Sequence, residues 1–393
     1  MTLPLLASLR PEASGAPASG IVELAKYART SGDDVIQLWV GEGDVPTPSF
    51  IYEAATRSLA AGETTYTWQR GIPELRQAIA AYASRLYGRA LPAERFFVCG
   101  SGMQAIQIAM TMVAGAGDEV IIPSPTWPNA PAAAGLRGAT PVFVQLVHGN
   151  QGWQMDLERL EAAISPRTRA LFINTPSNPT GWTATKEELA AILAMARRHG
   201  LWIIADEIYT RFVWTGEATR APSFHDVRED GDRILWVNTF SKNWAMTGWR
   251  TGWVEADPSL GDVVENLIQY STSGSPVFIQ RACIVALERG ESFVAHQIAK
   301  ARKAREIVSS ALEATGRCRF SRPDGAFYLF FGIDGVSDAN AAAMRLVDIA
   351  RVGLAPGSAF GPGGEGHLRL CYLRSQEEIE RAAERLEAAI PHL

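Results

Sequence analysis

Cysteine is scarce in this 393-residue sequence: four occur, Cys99, Cys283, Cys318 and Cys371, far apart along the chain. None forms a Cys-x-x-Cys pair or stands near histidine at metal-ligand spacing. That excludes a disulfide framework and a zinc motif, and leaves small buried hydrophobes in a reducing compartment. Basic charge is also short. Lysine and arginine total 37 against 42 acidic residues, giving a net charge of −5 with no basic cluster. Nucleic-acid and anionic-membrane partners, which need such clusters, are not indicated. No window reaches the ~18 apolar residues of a membrane helix. The opening MTLPLLASLR lacks a basic leader, and its apolar run between Pro4 and Arg10 is too short for a signal peptide. A soluble cytoplasmic protein without a metal is expected. What is present is ordinary globular composition, 47% hydrophobic and 20% charged, at a length that suggests two domains.

Residues 1–18, rich in Pro, Ala and Ser, read as a mobile arm, and Ser19 to Thr30 as a helix. Leu75, Ile79, Tyr82 and Leu86 recur at helical spacing behind Pro73, which suits a first turn. Strands and helices then alternate: RFFVCG, GMQAIQIAMTMVA, DEVIIP, TPVFVQL, RALFIN. Thr185 and Glu188 form a capping box ahead of a helix that Gly200 stops. LWIIAD and ILWVNTF follow as continuously apolar strands, a pattern of burial on both faces and hence of a mainly parallel sheet between helix layers. From residue 291 the texture changes to α+β: a long charged helix to 316, an alternating strand GAFYLFF, a helix from Asn340 to Arg351, the strand HLRLCYL, and a last helix capped by Ser375 and Glu378.

Several residues carry chemistry. GSGMQA, residues 100–105, follows a strand and opens a helix, where free amides attract anions. The letters also fit a dinucleotide fingerprint, but that needs an acid at the end of the next strand, and Asp118 and Glu119 precede DEVIIP. A phosphate cradle and a plain strand-to-helix turn both remain open. Asp206 ends LWIIAD, at the sheet edge where ligands collect. A carboxylate there meets a cation, caps a helix or binds a metal. Lys242 lies just past ILWVNTF at the same edge, and Arg250 could hold a phosphate bidentately. Arg369 stands mid-strand with apolar Cys371 and Leu373 as its alternates. It needs either an internal acid or a substrate carboxylate, for which a guanidinium fork is well shaped.

With these residues in this order, the chain resembles the fold-type I pyridoxal-phosphate aminotransferases of class I/II, the group containing aspartate aminotransferases. The matching segments are YTWQRGIPELR (66–76), NTPSNPTG (174–181), ADEIY (205–209), SKNWAMTGWR (241–250) and HLRLCY (367–372). The resemblance runs from about Ile21 to the C-terminus. It implies a large domain with a mainly parallel seven-stranded sheet flanked by helices, residues 46–288. It also implies a smaller α+β domain built from both chain ends, 1–45 and 289–393.

It implies roles as well. Lys242 would carry pyridoxal 5'-phosphate as a Schiff base and then act as the proton-moving base. Asp206 would keep the ring nitrogen protonated, so that the ring stays an electron sink. Asn178 and Tyr209 would bond the phenolate oxygen, and Trp127 would stack on the ring. Ser101, Gly102 and Met103 at the helix start, Ser241, Arg250, and Tyr66 from a second subunit would meet the phosphate end. Arg369, helped by Asn178 and Gly41, would grip the substrate carboxylate. A homodimer would be the minimal active unit.

The departures bear on substrate. GEGDV, residues 41–45, replaces the family's frequent GEPDF. Met103 stands where aspartate-specific relatives often carry lysine, and Tyr270 lies near where others place a partner-chain arginine. A neutral or aromatic amino acid is therefore expected as donor, with Trp39, Trp68, Trp182 and Trp244 as candidate pocket walls; a dicarboxylate enzyme is the alternative. A β-lyase on the same fold would use the same constellation. A non-enzymatic regulator usually needs an extra N-terminal DNA-binding domain, and only about 20 residues precede the first family-like helix.

Overall fold

The computed structural model describes Leu5, residues 8–150 and residues 152–393. The expected arm over 1–18 lies partly outside the described residues; within them, Pro11–Ser14 forms one helical turn.

Seven strands build the large sheet: β1 (Phe96–Cys99), β2 (Glu119–Ser124), β3 (Thr140–Gln145), β4 (Thr168–Asn174), β5 (Trp202–Asp206), β6 (Ile234–Thr239) and β7 (Gly252–Glu255). Their order is β1-β7-β6-β5-β4-β2-β3. β3, β2, β4, β5 and β6 run parallel to one another, and β7 is antiparallel to both β6 and β1. The runs FFVC and EVIIPS are buried at every position, as the two-sided burial of a covered parallel sheet requires. β3 sits at the edge and is half exposed. Register then sets the site. Asn174, closing β4, pairs with Asp206, closing β5, and Asp206 pairs with Val237 in β6, two residues before that strand ends. The carboxyl ends of three adjacent strands thus bring Asn174, Asp206 and the segment leading to Lys242 to one edge.

A second, antiparallel sheet holds β8 (Cys318–Arg319), β9 (Tyr328–Ile333), β10 (Ala355–Pro356) and β11 (His367–Cys371), in the order β8-β9-β11-β10. Both ends of the chain meet here: Ile36–Gln37 pairs in parallel with Val352–Gly353.

The sequence pattern predicts alternation in GAFYLFF, yet all six residues of β9 are buried. Tyr328 packs edge-on against Tyr209, and Phe330 lies against Trp153 and Phe360. The face bearing Tyr328 and Phe330 is thus covered by Tyr209 and Trp153 from the large-sheet segment and by Phe360 from the C-terminal part. The helix Lys186–His199 has both halves of its Thr185/Glu188 capping box, with Gly200 left-handed at φ 65°. The last helix, Gln376–Ala389, keeps only one half. Ser375 Oγ accepts from the Glu378 amide, while the Ser375 N–H donates to Asp44. No helix among the described residues is long and apolar enough to cross a membrane.

Candidate active site

A cavity of about 550 Å³ opens at the carboxyl ends of β4, β5 and β6, beneath β9 and β11. Gly41, Gly102, Met103, Trp127, Asn178, Asp206, Tyr209, Ser241, Lys242, Arg250 and Arg369 all line it. Two expected residues do not. Ser101 is buried behind the cavity wall, where its hydroxyl caps the helix Gly102–Val113 by accepting from the Gln104 amide at 2.9 Å. Tyr66 is 93% exposed and lies outside the cavity of its own chain.

Asp206 is 2% exposed, and its Oδ1 has no hydrogen-bond partner among the described residues. Burial pushes its carboxyl up to about 7, against smaller opposing pulls from the Ile208 amide and from Lys242. An acid so placed is satisfied by a cation entering the cavity. There is also a consequence for stability. The unfolded carboxyl titrates near 3.9, so between about pH 4 and 7 the folded chain holds a proton that the unfolded chain has lost. Stability falls across that window and levels above it. In the chain without ligand, Asp206→Asn is expected to melt higher than the parent at pH 8, with the gap closing near pH 4. Thermal melts at the two pH values check this; equal melts at pH 8 would refute the buried-acid assignment.

Lys242 is half-buried and donates from Nζ to the Gly41 carbonyl at 2.7 Å, with no ion pair among the described residues. Desolvation by burial pulls its ammonium down to about 8, opposed by Cys371 and Glu42 and reinforced by Arg369 and Arg250. An amine near neutrality is both a nucleophile and a usable base.

Around the helix start, Gly102 could not become alanine without its Cβ coming within 3.1 Å of Thr239. A Cβ at Gly252 would stand 2.8 Å from the Gly102 nitrogen, so glycine in β7 lets the helix end approach the sheet. Thr239 Oγ1 bonds Ser241 Oγ at 2.9 Å. Arg250 is held left-handed at φ 51°, an uncommon backbone for a non-glycine residue, and donates only to the Thr247 carbonyl at 2.6 Å. Its charge has no acidic partner among the described residues. The dinucleotide reading fails here: Glu119 opens β2 rather than ending it, and it bonds Ser165 and Arg167.

Arg369 is 2% exposed. It donates to Asn178 Oδ1 at 3.0 Å and to the Trp39 carbonyl, and its Nε has no partner. The rings of Tyr328 and Phe360 lie 4.6 and 4.9 Å from its guanidinium carbon. No acid among the described residues pairs with it. A buried cation bonded only to neutral groups is costly, and a carboxylate from a ligand would relieve it.

Sequence reasoning missed some residues. Tyr328 reaches the cavity from β9 and bonds Tyr209 hydroxyl to hydroxyl at 2.9 Å. Asn174 lines the floor and its Oδ1 accepts from the Asn178 amide at 2.8 Å. Ile21, Val22 and Ala25, on the helix Gly20–Thr30, form an apolar wall. Of the four tryptophans considered, only Trp39 lines the cavity. Trp182 and Trp244 are core residues, the latter packed on Tyr82 and Phe240, and Trp68 is 66% exposed outside it.

A family model described as aminotransferase class I and II matches residues 33–386. The chain is 37% identical over 374 residues to an aspartate aminotransferase of Thermotoga maritima, covering 94% of this chain and 96% of that one. It is 36% identical over 357 residues to an arginine–pyruvate transaminase of Pseudomonas aeruginosa, covering 90% of each. A crystal structure of aspartate aminotransferase from Thermotoga maritima aligns with a TM-score of 0.90 at 34% identity, over 97% of this chain and 99% of that one. The chain belongs to the class I and II aminotransferases, and it is a transferase that moves an amino group between an α-amino acid and a 2-oxo acid. That family uses pyridoxal phosphate. The donor set here fits such a group: an unpartnered buried acid for a ring cation, an amine for an aldehyde, and a helix start with an unpaired arginine for a phosphate.

Proposed function

We propose that this chain holds pyridoxal 5'-phosphate in the cavity and works by a ping-pong mechanism, with a neutral or aromatic amino acid as donor. One observation carries the reading: Asp206, Lys242 and Arg369, three ionisable groups around one cavity, have no ion-pair partner among the described residues.

When bound, pyridoxal phosphate supplies an aldehyde that takes up the amino group and a ring that withdraws electrons. Lys242 Nζ would hold the aldehyde carbon of that group and, as a free amine, would take and return the proton at the donor's Cα. A pKa near 8 suits both directions of that transfer. Asp206 would keep the ring nitrogen protonated. Tyr209 and the Asn178 side-chain amide would donate to the phenolate oxygen, and Trp127 would cover the ring face. Arg250 would supply most of the charge against the phosphate, since a helix end offers only about half a unit. Gly102, Met103 and Ser241 line that end, with Ser101 behind them. Arg369, Asn178 and the Gly41 amide take the donor's carboxylate.

Tyr66 of a second subunit would complete the phosphate site. The exposure of Tyr66, Trp68 and Tyr270 at 93%, 66% and 86% accords with a homodimer that covers them. The working units are 46–288 and the paired ends 1–45 and 289–393. Four unbridged cysteines accord with a cytoplasmic location.

The substrate reading rests on charge. Among the described lining residues the basic groups are Lys242, Arg250 and Arg369, each already committed, while Ile21, Val22, Ala25, Met103 and Ile106 present hydrocarbon or thioether. A second carboxylate would enter this wall unpaired. Mixing the holoenzyme with single amino acids and following conversion of the cofactor to its amine form tests it. Neutral or aromatic donors should exceed aspartate and glutamate by at least roughly 10-fold. Faster dicarboxylates would overturn the substrate, and failure of every amino acid to convert the cofactor would overturn the function.

A further inference from the structure

Besides the main cavity, Lys242 borders a second, much smaller one of about 20 Å³, lined also by Gln297, Ser241, Thr247, Glu42 and Phe327. Gln297 comes from the long helix Glu291–Ala314 and is 0% exposed. Neither its Oε1 nor its Nε2 has a hydrogen-bond partner among the described residues. A buried amide left unsatisfied at both ends carries the full desolvation penalty of a donor and an acceptor, which native cores avoid. Packing alone would have been served by leucine. The space is right for one molecule: a water needs about 10–15 Å³ of such volume and two to four polar partners. Gln297, Ser241, Thr247 and Glu42 offer them.

We infer that Gln297 fixes a single internal water beside Lys242 and is thereby a positioning residue for the lysine amine. The inference rests on the assignment of Lys242 above. The water gives Nζ a polar neighbour other than the Gly41 carbonyl and supports its charged form in a site where burial opposes charge. The other groups acting on the amine are Glu42 and Cys371, which favour the cation, Arg369 and Arg250, which oppose it, and Asp206 across the main cavity.

The test uses holoenzyme, with Gln297→Leu and Gln297→Glu beside the parent. Three readouts are taken: the pH titration of the lysine–cofactor absorption band, the pH profile of kcat/KM, and a high-resolution crystal structure. Leucine should exclude the water and lower the apparent pKa of the linkage by roughly half a unit or more. Glutamate keeps an acceptor, adds negative charge and should raise it. The parent should show one ordered water bonded to the Gln297 amide, lost in the leucine variant. A role in packing alone would leave the titration unmoved. Should the leucine variant fail to fold, the glutamate shift and the parent's water decide the matter. Titrations like the parent's in both variants, or a Gln297 amide bonded only to protein, would overturn the inference. If a borohydride tag forms on Lys242 while the variants titrate normally, only this inference falls. If no tag forms on Lys242, the functional reading fails and takes this one with it.

Discussion

Lys242→Ala should abolish transamination, lowering kcat by at least roughly 10⁴-fold, the upper range for a single proton-transferring group. The loss should be nearly complete because the proposed mechanism gives one amine two jobs, holding the aldehyde carbon and carrying the proton. No other lysine lines the cavity. The fold should survive. Lys242 is half-buried and its side chain makes one hydrogen bond, to Gly41, so removing it breaks no ion pair. Rates for a donor chosen from the amino-acid screen, with a thermal melt on the same preparation, separate the two effects. An alanine variant melting like the parent and retaining more than a few per cent of its rate would remove Lys242 from the chemistry.

Arg369 carries the second large effect. A charged hydrogen bond contributes about 1.5–3 kcal/mol, and a bidentate carboxylate pair has two. Since 1.4 kcal/mol is tenfold, Arg369→Met is expected to lower kcat/KM by about 10²–10⁴-fold, mostly through KM. Arg369→Lys keeps the charge but loses the planar fork, and should recover only part of the loss. Steady-state kinetics on one donor across the three proteins measures this. The neighbourhood explains why the fork matters. Asn178 and the Trp39 carbonyl fix the guanidinium plane from one side, and the Tyr328 and Phe360 rings lie against it. A methionine variant within threefold of the parent would show that the carboxylate binds elsewhere.

Much of this site is legible in the chain because its parts sit where strands stop. Asp206 and Lys242 each follow a continuous apolar run, and such runs place their last residues at the ligand-binding edge of a parallel sheet. Arg369 is visible as a cation on an apolar strand. The helix Lys186–His199 announces both ends through Thr185, Glu188 and Gly200. What is hidden depends on long-range packing. Tyr328 looks like one more aromatic in GAFYLFF, and only the approach of Tyr209 from 119 residues earlier in the chain turns it into a site residue. Ile21 and Val22 belong to an ordinary amphipathic helix until the fold sets that helix along the cavity. Gln297 is hidden most deeply, since a polar residue in a charged helix reads as surface while the fold buries it completely. The tryptophans show the same limit. Trp39 precedes GEGDV and Trp244 lies within SKNWAMTGWR, yet one lines the cavity and the other fills the core.

The most direct measurement is chemical. Holoenzyme is reduced with borohydride, digested, and the peptide bearing the fixed cofactor is sequenced. The tag is predicted on Lys242, within SKNWAMTGWR. A tag on any other residue, or none from protein that visibly carries the cofactor, would contradict the assignment from which every other role here follows.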